Sequence, residues 1–389
     1  MKNVFTVIGA FVRAGIVMAL SAVSSHAQDV RFLYPVPSSA VSVSKNVQYG
    51  ISDTATLRMD VYRPSAPASG SSPALIFFNG AFGPDRDNSF YSGWARAAAS
   101  QGLVAIVPDL HSDRAAQNFD ALVAHLSQHA SSYGIDSAAI AVYAGSGNVY
   151  TAFPIVEDPA RTTVKAAVMY YGTAPITTFR RDLPVLFVRA GLDRPSVTGG
   201  PTSGMIGLAA RAISQNAPVT LLNDPAGHHG FEIVDDDAAT RDAIDRTIDF
   251  VKRATNGAYQ TAIRRGLLEA TAASQVVTGD FHAAAASYEQ ILTTRPDDLR
   301  LRLSYGEALL GDRQFAAACA ALEPLKGKGL GARDLGIPGA LACAQKGDPD
   351  AAIAFLKTIP KQYLPSSTQN EPAFAALRER ADFRALFQP

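Results

Sequence analysis

From about residue 47 to residue 254, short apolar runs rich in Val, Ile and aromatic residues alternate with longer stretches whose apolar positions recur at helical spacing. The runs lie at 57–62, 74–79, 103–108, 140–144, 164–171, 185–190 and 219–223, and the helical stretches at 90–101, 113–133, 147–157, 202–215 and 237–254. A strand inside a parallel sheet is covered on both faces by crossover helices, so it is apolar throughout, whereas a strand with one wet face alternates. The pattern predicts an α/β domain with a mostly parallel sheet and helices on both faces. Polar and glycine punctuation falls at the strand ends, at Asn79-Gly80, Asp109, Gly145, Gly172, Asp193 and Gly230. Ligands of open α/β sheets bind at the carboxyl ends of strands, so these loops are where chemistry is expected.

Beyond about residue 260 the strand runs stop, and Ala- and Leu-rich helical patterns are broken by Gly-Asp at 279–280, 311–312 and 347–348. Phe281, Ala284, Tyr288 and Ile291 recur as Phe315, Ala318, Leu322 and Leu325, each 34 residues later. With Pro296 closing the first unit and Gly306 at a position of close helix packing, residues 263–326 resemble tetratricopeptide repeats. A third, drifted unit is expected around 333–358. The division expected is a leader over 1–27, an α/β domain over 28–257 and a small all-α helical-repeat domain over 258–389.

Composition narrows the function classes. The chain has 389 residues, 47% hydrophobic and 18% charged, the balance of a packed globular protein and enough for two cores. Lys plus Arg equals Asp plus Glu at 35 each, so no bulk field draws the chain to nucleic acid or anionic lipid. At the N-terminus, Lys2 and Arg13 precede an uncharged run at 14–25 and then Ser25-His26-Ala27. That is the grammar of a secretory signal cleaved after Ala27, and the run is too short to span a bilayer. The mature protein is therefore expected to be exported, to the periplasm or beyond, with no membrane span. Cys319 and Cys343 are the two cysteines; export permits a bridge, but the expectation is a pair of buried free thiols.

The chemistry concentrates at Ile140-Ala-Val-Tyr-Ala-Gly-Ser146-Gly-Asn-Val-Tyr, an apolar strand, a tight turn of small residues and a helix start. A serine hydroxyl attacks well only when presented on such a turn with a base in reach. The motif G-x-S-x-G is met loosely, because Ala144 and Asn148 stand where glycines are expected. Carboxylate and imidazole follow in the required order. Leu183-Pro-Val-Leu-Phe-Val-Arg-Ala-Gly-Leu-Asp193 is a buried strand ending on an acid, and Asn223-Asp-Pro-Ala-Gly-His228-His229-Gly-Phe231 places imidazoles after the last strand. His228 is the other candidate base and Asp224 the other candidate acid. Asp109, His111 and Trp94 are read as structural.

On these segments, together with Met59-Asp-Val-Tyr-Arg-Pro64, Phe77-Phe-Asn-Gly80 and Tyr133-Gly-Ile-Asp136, residues 47–254 resemble the α/β-hydrolase superfamily, most of all its dienelactone-hydrolase and small carboxylesterase branches. The resemblance implies Ser146 as nucleophile, His229 as base, Asp193 as acid, and an oxyanion hole from the backbone N–H groups of Gly147 and Ala81. Asn79 stands where related enzymes carry histidine. The function implied is hydrolysis of a small ester or lactone through an acyl-Ser146 intermediate, with neither cofactor nor metal. The rival, motivated by Ala144, Asn148 and Asn79, is a hydrolase-fold protein with impaired catalysis that binds a protein partner through its helical repeats.

Overall fold

The computed structural model describes residues 32–388 except 54, 67–69, 81–83 and 194–200, with backbone only for 201–203. The leader expected over 1–27 and the expected oxyanion donor Ala81 lie outside the described residues. The chain divides into two compact units, the first ending at Gly257 and the second running Ala258–Pro389. No helix among the described residues is long and apolar enough to cross a membrane.

In the first unit eight strands form one sheet: β1 (Val41–Ser52), β2 (Ala55–Pro64), β3 (Ser72–Phe77), β4 (Val104–Pro108), β5 (Ile135–Gly145), β6 (Val164–Tyr170), β7 (Val185–Ala190) and β8 (Val219–Asp224). Their order is β1-β2-β4-β3-β5-β6-β7-β8. Only β2 runs against the rest, since β1 and β4 both pair with it antiparallel while every other pairing is parallel. The helices are α1 (Ser89–Ser100), α2 (Ala115–Gln128), α3 (Ala130–Tyr133), α4 (Gly147–Val156), α5 (Pro201–Ser214), α6 (Phe231–Val234) and α7 (Ala238–Ala254). A mostly parallel sheet of this order, with crossover helices, is the α/β-hydrolase fold. The central strands are buried almost end to end, as their unbroken apolar sequences require.

Two elements depart from expectation. β1 has no counterpart among the expected strands, because Val41-Ser-Val-Ser-Lys-Asn-Val-Gln is largely polar; it lies at the sheet edge, where one side of the strand is wet. The helix expected over 113–133 is split into α2 and α3 at His129, which leaves helical geometry at φ −113°, ψ 21°. With no Gly or Pro at that junction, the sequence carries no signal for the break.

The second unit is all helical, with α8 (Gly257–Val277), α9 (Phe281–Leu292), α10 (Leu299–Gly311), α11 (Phe315–Leu322), α12 (Ala332–Lys346), α13 (Pro349–Leu356) and α14 (Ala381–Arg384). α9, α11 and α13 start 34 residues apart. Asp280, Asp298 and Asp348 cap α9, α10 and α13 by accepting backbone N–H bonds. Gly306 lets α10 and α11 touch, since a Cβ there would lie 2.4 Å from Leu322 Cδ2.

The expectation of free thiols is corrected: Cys319 on α11 and Cys343 on α12 form a disulfide. Adjacent helices bring them together with Cα atoms 4.9 Å apart, a proximity that two cysteines 24 residues apart in sequence do not reveal. Closing a loop of that length restricts the unfolded chain by about 3 kcal/mol. Reduction, or Cys343→Ala, is therefore expected to lower the stability of the helical unit by that amount, read as an earlier denaturant midpoint for helix loss.

Glu157, at the end of α4, is buried; one carboxylate oxygen accepts the Arg180 backbone N–H at 2.5 Å and the other has no partner. Burial pushes its carboxyl up to about 7 against the pull of Arg180. A raised carboxyl favours the folded state at low pH, and that contribution is lost as pH rises from the ordinary carboxylate range through about 7. The first unit is expected to lose about 2–3 kcal/mol between pH 5 and pH 8 on this account. Glu157→Gln should flatten that decline in denaturation curves taken at the two pH values.

Candidate active site

β5 delivers the serine. Its last residue is Gly145, the first of α4 is Gly147, and between them Ser146 is held at φ 55°, ψ −129°. This is a costly conformation for a residue with a side chain, and a local structure retains it only when its surroundings enforce it. Here the Ser146 N–H donates to Tyr170 O at 2.9 Å, and its carbonyl accepts from Val149 N at 3.1 Å. Gly172, just beyond β6, lets the neighbouring chain come close: a Cβ there would stand 2.5 Å from both Ser146 O and Val149 Cγ2.

The acid and the imidazoles come from the loops after β7 and β8. These loops are laced by Gly191 N–H to Asp224 O at 2.7 Å and Leu192 N–H to Gly227 O at 2.9 Å. Gly191 permits the approach, because a Cβ on it would lie 2.4 Å from Pro225 O. The result is a continuous relay: Ser146 Oγ is 2.8 Å from His229 Nε2, and His229 Nδ1 is 3.0 Å from Asp193 Oδ2. The carboxylate is the sheltered member, its side chain 8% exposed against 41% for the imidazole. With Nδ1–H donating to Asp193, Nε2 is left as the acceptor for the serine proton.

The neighbouring candidates are engaged elsewhere. His228 turns away to Asp235, with Nδ1 2.8 Å from Oδ1 and its backbone N–H donating to Oδ2. Asp224 accepts the Ala226 N–H and stays within its own turn. Asp109, whose carbonyl accepts from Tyr49, joins Asp60 in gripping Arg86; Arg86 donates to Asp109 Oδ1 at 3.0 Å and Asp60 Oδ1 at 2.7 Å. That grip ties the segment after β3 to β2 and to the end of β4. His111 donates its backbone N–H to Asn118.

Each departure from the motif has a place in the structure. Ala144 is fully buried in β5. Asn148 points its amide at Tyr91, donating to the hydroxyl at 2.9 Å. Asn79 donates to Pro108 O at 2.9 Å while its buried Oδ1 has no partner. Gly147 opens α4, and the first N–H groups of a helix have no intrahelical acceptor, which leaves its N–H without one. Among the described residues no group of three or more His, Cys, Asp or Glu is placed to hold a metal ion.

Two residues escape a sequence reading. Tyr171, which follows β6 at φ 30°, sets its ring 4.5 Å from that of His229. Glu232, fully buried, accepts the Tyr171 hydroxyl. A glutamate directly after the apolar Phe231 was the available signal; nothing in the local pattern says that it faces inward.

Fold and site together define an α/β-hydrolase-fold domain carrying a serine, histidine and aspartate relay at the carboxyl ends of its strands. Solved structures similar to the chain include a bacterial heroin esterase, 14% identical, covering 56% of this chain and 86% of that one with a TM-score of 0.48. A fungal esterase from Rhizomucor miehei is 16% identical over 57% of this chain and 85% of its own, with a TM-score of 0.47. Brefeldin A esterase, a bacterial homologue of human hormone-sensitive lipase, is 15% identical over 58% and 81%, with a TM-score of 0.48. No protein-family model matches the chain, and no curated protein does.

Proposed function

We propose that the protein is a serine hydrolase of the carboxylesterase or dienelactone-hydrolase kind, cleaving a small ester or lactone through an acyl-Ser146 intermediate. The observation that carries this is the relay itself, with Ser146 Oγ 2.8 Å from His229 Nε2 and Nδ1 3.0 Å from Asp193, on a serine held at φ 55°. In this reading His229 takes the Ser146 proton as Oγ attacks the carbonyl carbon, and returns it to the leaving alcohol oxygen as the tetrahedral intermediate collapses. Asp193 holds the tautomer and stabilises the imidazolium. The Gly147 N–H, and that of Ala81 by its place in the sequence, stabilise the oxyanion. Water then repeats the cycle on the acyl-enzyme.

Export is part of the proposal, supported by the leader-like N-terminus and by the Cys319–Cys343 disulfide, which persists in oxidising compartments. The 34-residue spacing of α9, α11 and α13 supports reading the second unit as tetratricopeptide-like, with a protein partner as its expected ligand.

A fluorophosphonate probe is expected to label Ser146, mapped by peptide mass spectrometry, and p-nitrophenyl acetate to be turned over. Absence of both labelling and turnover would overturn the hydrolase reading in favour of a binding module.

A further inference from the structure

Glu232 is a fully buried carboxylate three residues after His229. Its Oε1 accepts from Trp94 Nε1 at 3.3 Å and the Tyr143 hydroxyl at 3.0 Å, and its Oε2 from the Tyr171 hydroxyl at 2.9 Å. Burying a carboxylate is costly, and an apolar side chain would fill the same space without that cost. The donors explain what the acid achieves. Trp94 comes from α1, Tyr143 from the strand that carries Ser146, and Tyr171 from the end of β6, while Glu232 itself lies in α6 directly behind the histidine loop. One side chain thus ties together four segments that surround the relay.

The three donors are neutral, because burial pushes the Tyr143 and Tyr171 hydroxyls well above their ordinary range and indole does not titrate. Three donors meet two oxygens, the complement that an ionised carboxylate asks for. Burial raises the Glu232 carboxyl, while its own backbone N–H and bonds from Tyr171, Tyr143 and Trp94 pull the other way. The titratable groups around it are Tyr91, Tyr143, Tyr170 and Tyr171, with His229 against the far side of Tyr171 and Asp193 beyond His229.

Resting on the reading of His229 as the base, we infer that Glu232 and Tyr171 are a positioning pair for that histidine. The buried carboxylate fixes the Tyr171 hydroxyl, and the Tyr171 ring, 4.5 Å from the imidazole and inclined at 55°, holds His229 where it reaches both Ser146 and Asp193. A phenol donating to an anion is electron-rich, so its ring favours an adjacent imidazolium over neutral imidazole. The pair therefore acts in the step in which His229 carries the proton. It touches neither substrate nor the reacting atoms.

The test uses Tyr171→Phe and Glu232→Gln in the full chain, with the His229 imidazole titration followed by NMR and assigned by loss of its signal in His229→Asn. Removing the link should move that titration about one unit to lower pH, since the cation loses its support. The same variants should lower kcat about tenfold at unchanged KM and shift the acidic limb of the kcat/KM profile downward. Tyr171→Phe removes a single hydroxyl, so it carries the test if Glu232→Gln fails to fold. An unmoved His229 titration and an unmoved kcat in folded Tyr171→Phe, with only the melting temperature reduced, would show a purely structural role and overturn the inference. The titration needs no turnover, so an inert wild type would sink the esterase reading while the titration still decides this one.

Discussion

Ser146→Ala is expected to cut p-nitrophenyl acetate turnover by on the order of 10⁵–10⁶ in kcat and to abolish fluorophosphonate labelling. Alanine keeps the turn but removes the hydroxyl oxygen placed 2.8 Å from His229 Nε2, so covalent catalysis through this relay has no nucleophile. Any residual rate would come from binding and from backbone donors such as Gly147. The substitution deletes one part-exposed hydroxyl and leaves the Ser146 N–H to Tyr170 O bond intact, so the melting temperature should hardly change. That contrast separates lost chemistry from lost folding. Turnover within tenfold of wild type in a folded Ser146→Ala would place the reaction elsewhere.

Asp193→Asn is expected to lower kcat by about 10³–10⁴ with little change in KM. The carboxylate is sheltered and accepts from His229 Nδ1 at 3.0 Å. A carboxamide of the same shape can present its NH₂ to Nδ1, which selects the tautomer with hydrogen on Nε2. The imidazole then faces Ser146 Oγ with a donor and cannot take its proton. Steady-state kinetics alongside a fluorophosphonate labelling time course would show both slowed together. If Asp193→Asn left both rates intact, the acid would have to come from another loop; Asp224 is committed to the Ala226 N–H and would have to be released first.

Much of this was legible in the chain. Strands buried on both faces must be apolar throughout, so β3 to β7 announce themselves as runs of Val, Ile and aromatics. Serine, acid and histidine appear in order because each sits where an apolar run stops, and a strand end is visible as a change from apolar to Gly, Asp or Asn. β1 was not legible, since an edge strand needs few apolar residues, and the break between α2 and α3 has no residue that requires it.

What the sequence determined by itself is most of the elements and the three strand ends that hold the serine, the acid and the histidines, because both follow from local pattern and spacing. The resemblance already favoured His229 over His228 as the base, and the tertiary structure supplies the physical reason. His228 is captured by Asp235, while Asp193 is brought to His229 Nδ1. The structure alone decided that Cys319 and Cys343 meet, and that Glu232 faces inward onto Tyr171. Each depends on groups brought together from distant parts of the chain, and contact between such groups is a property of packing that no local pattern encodes.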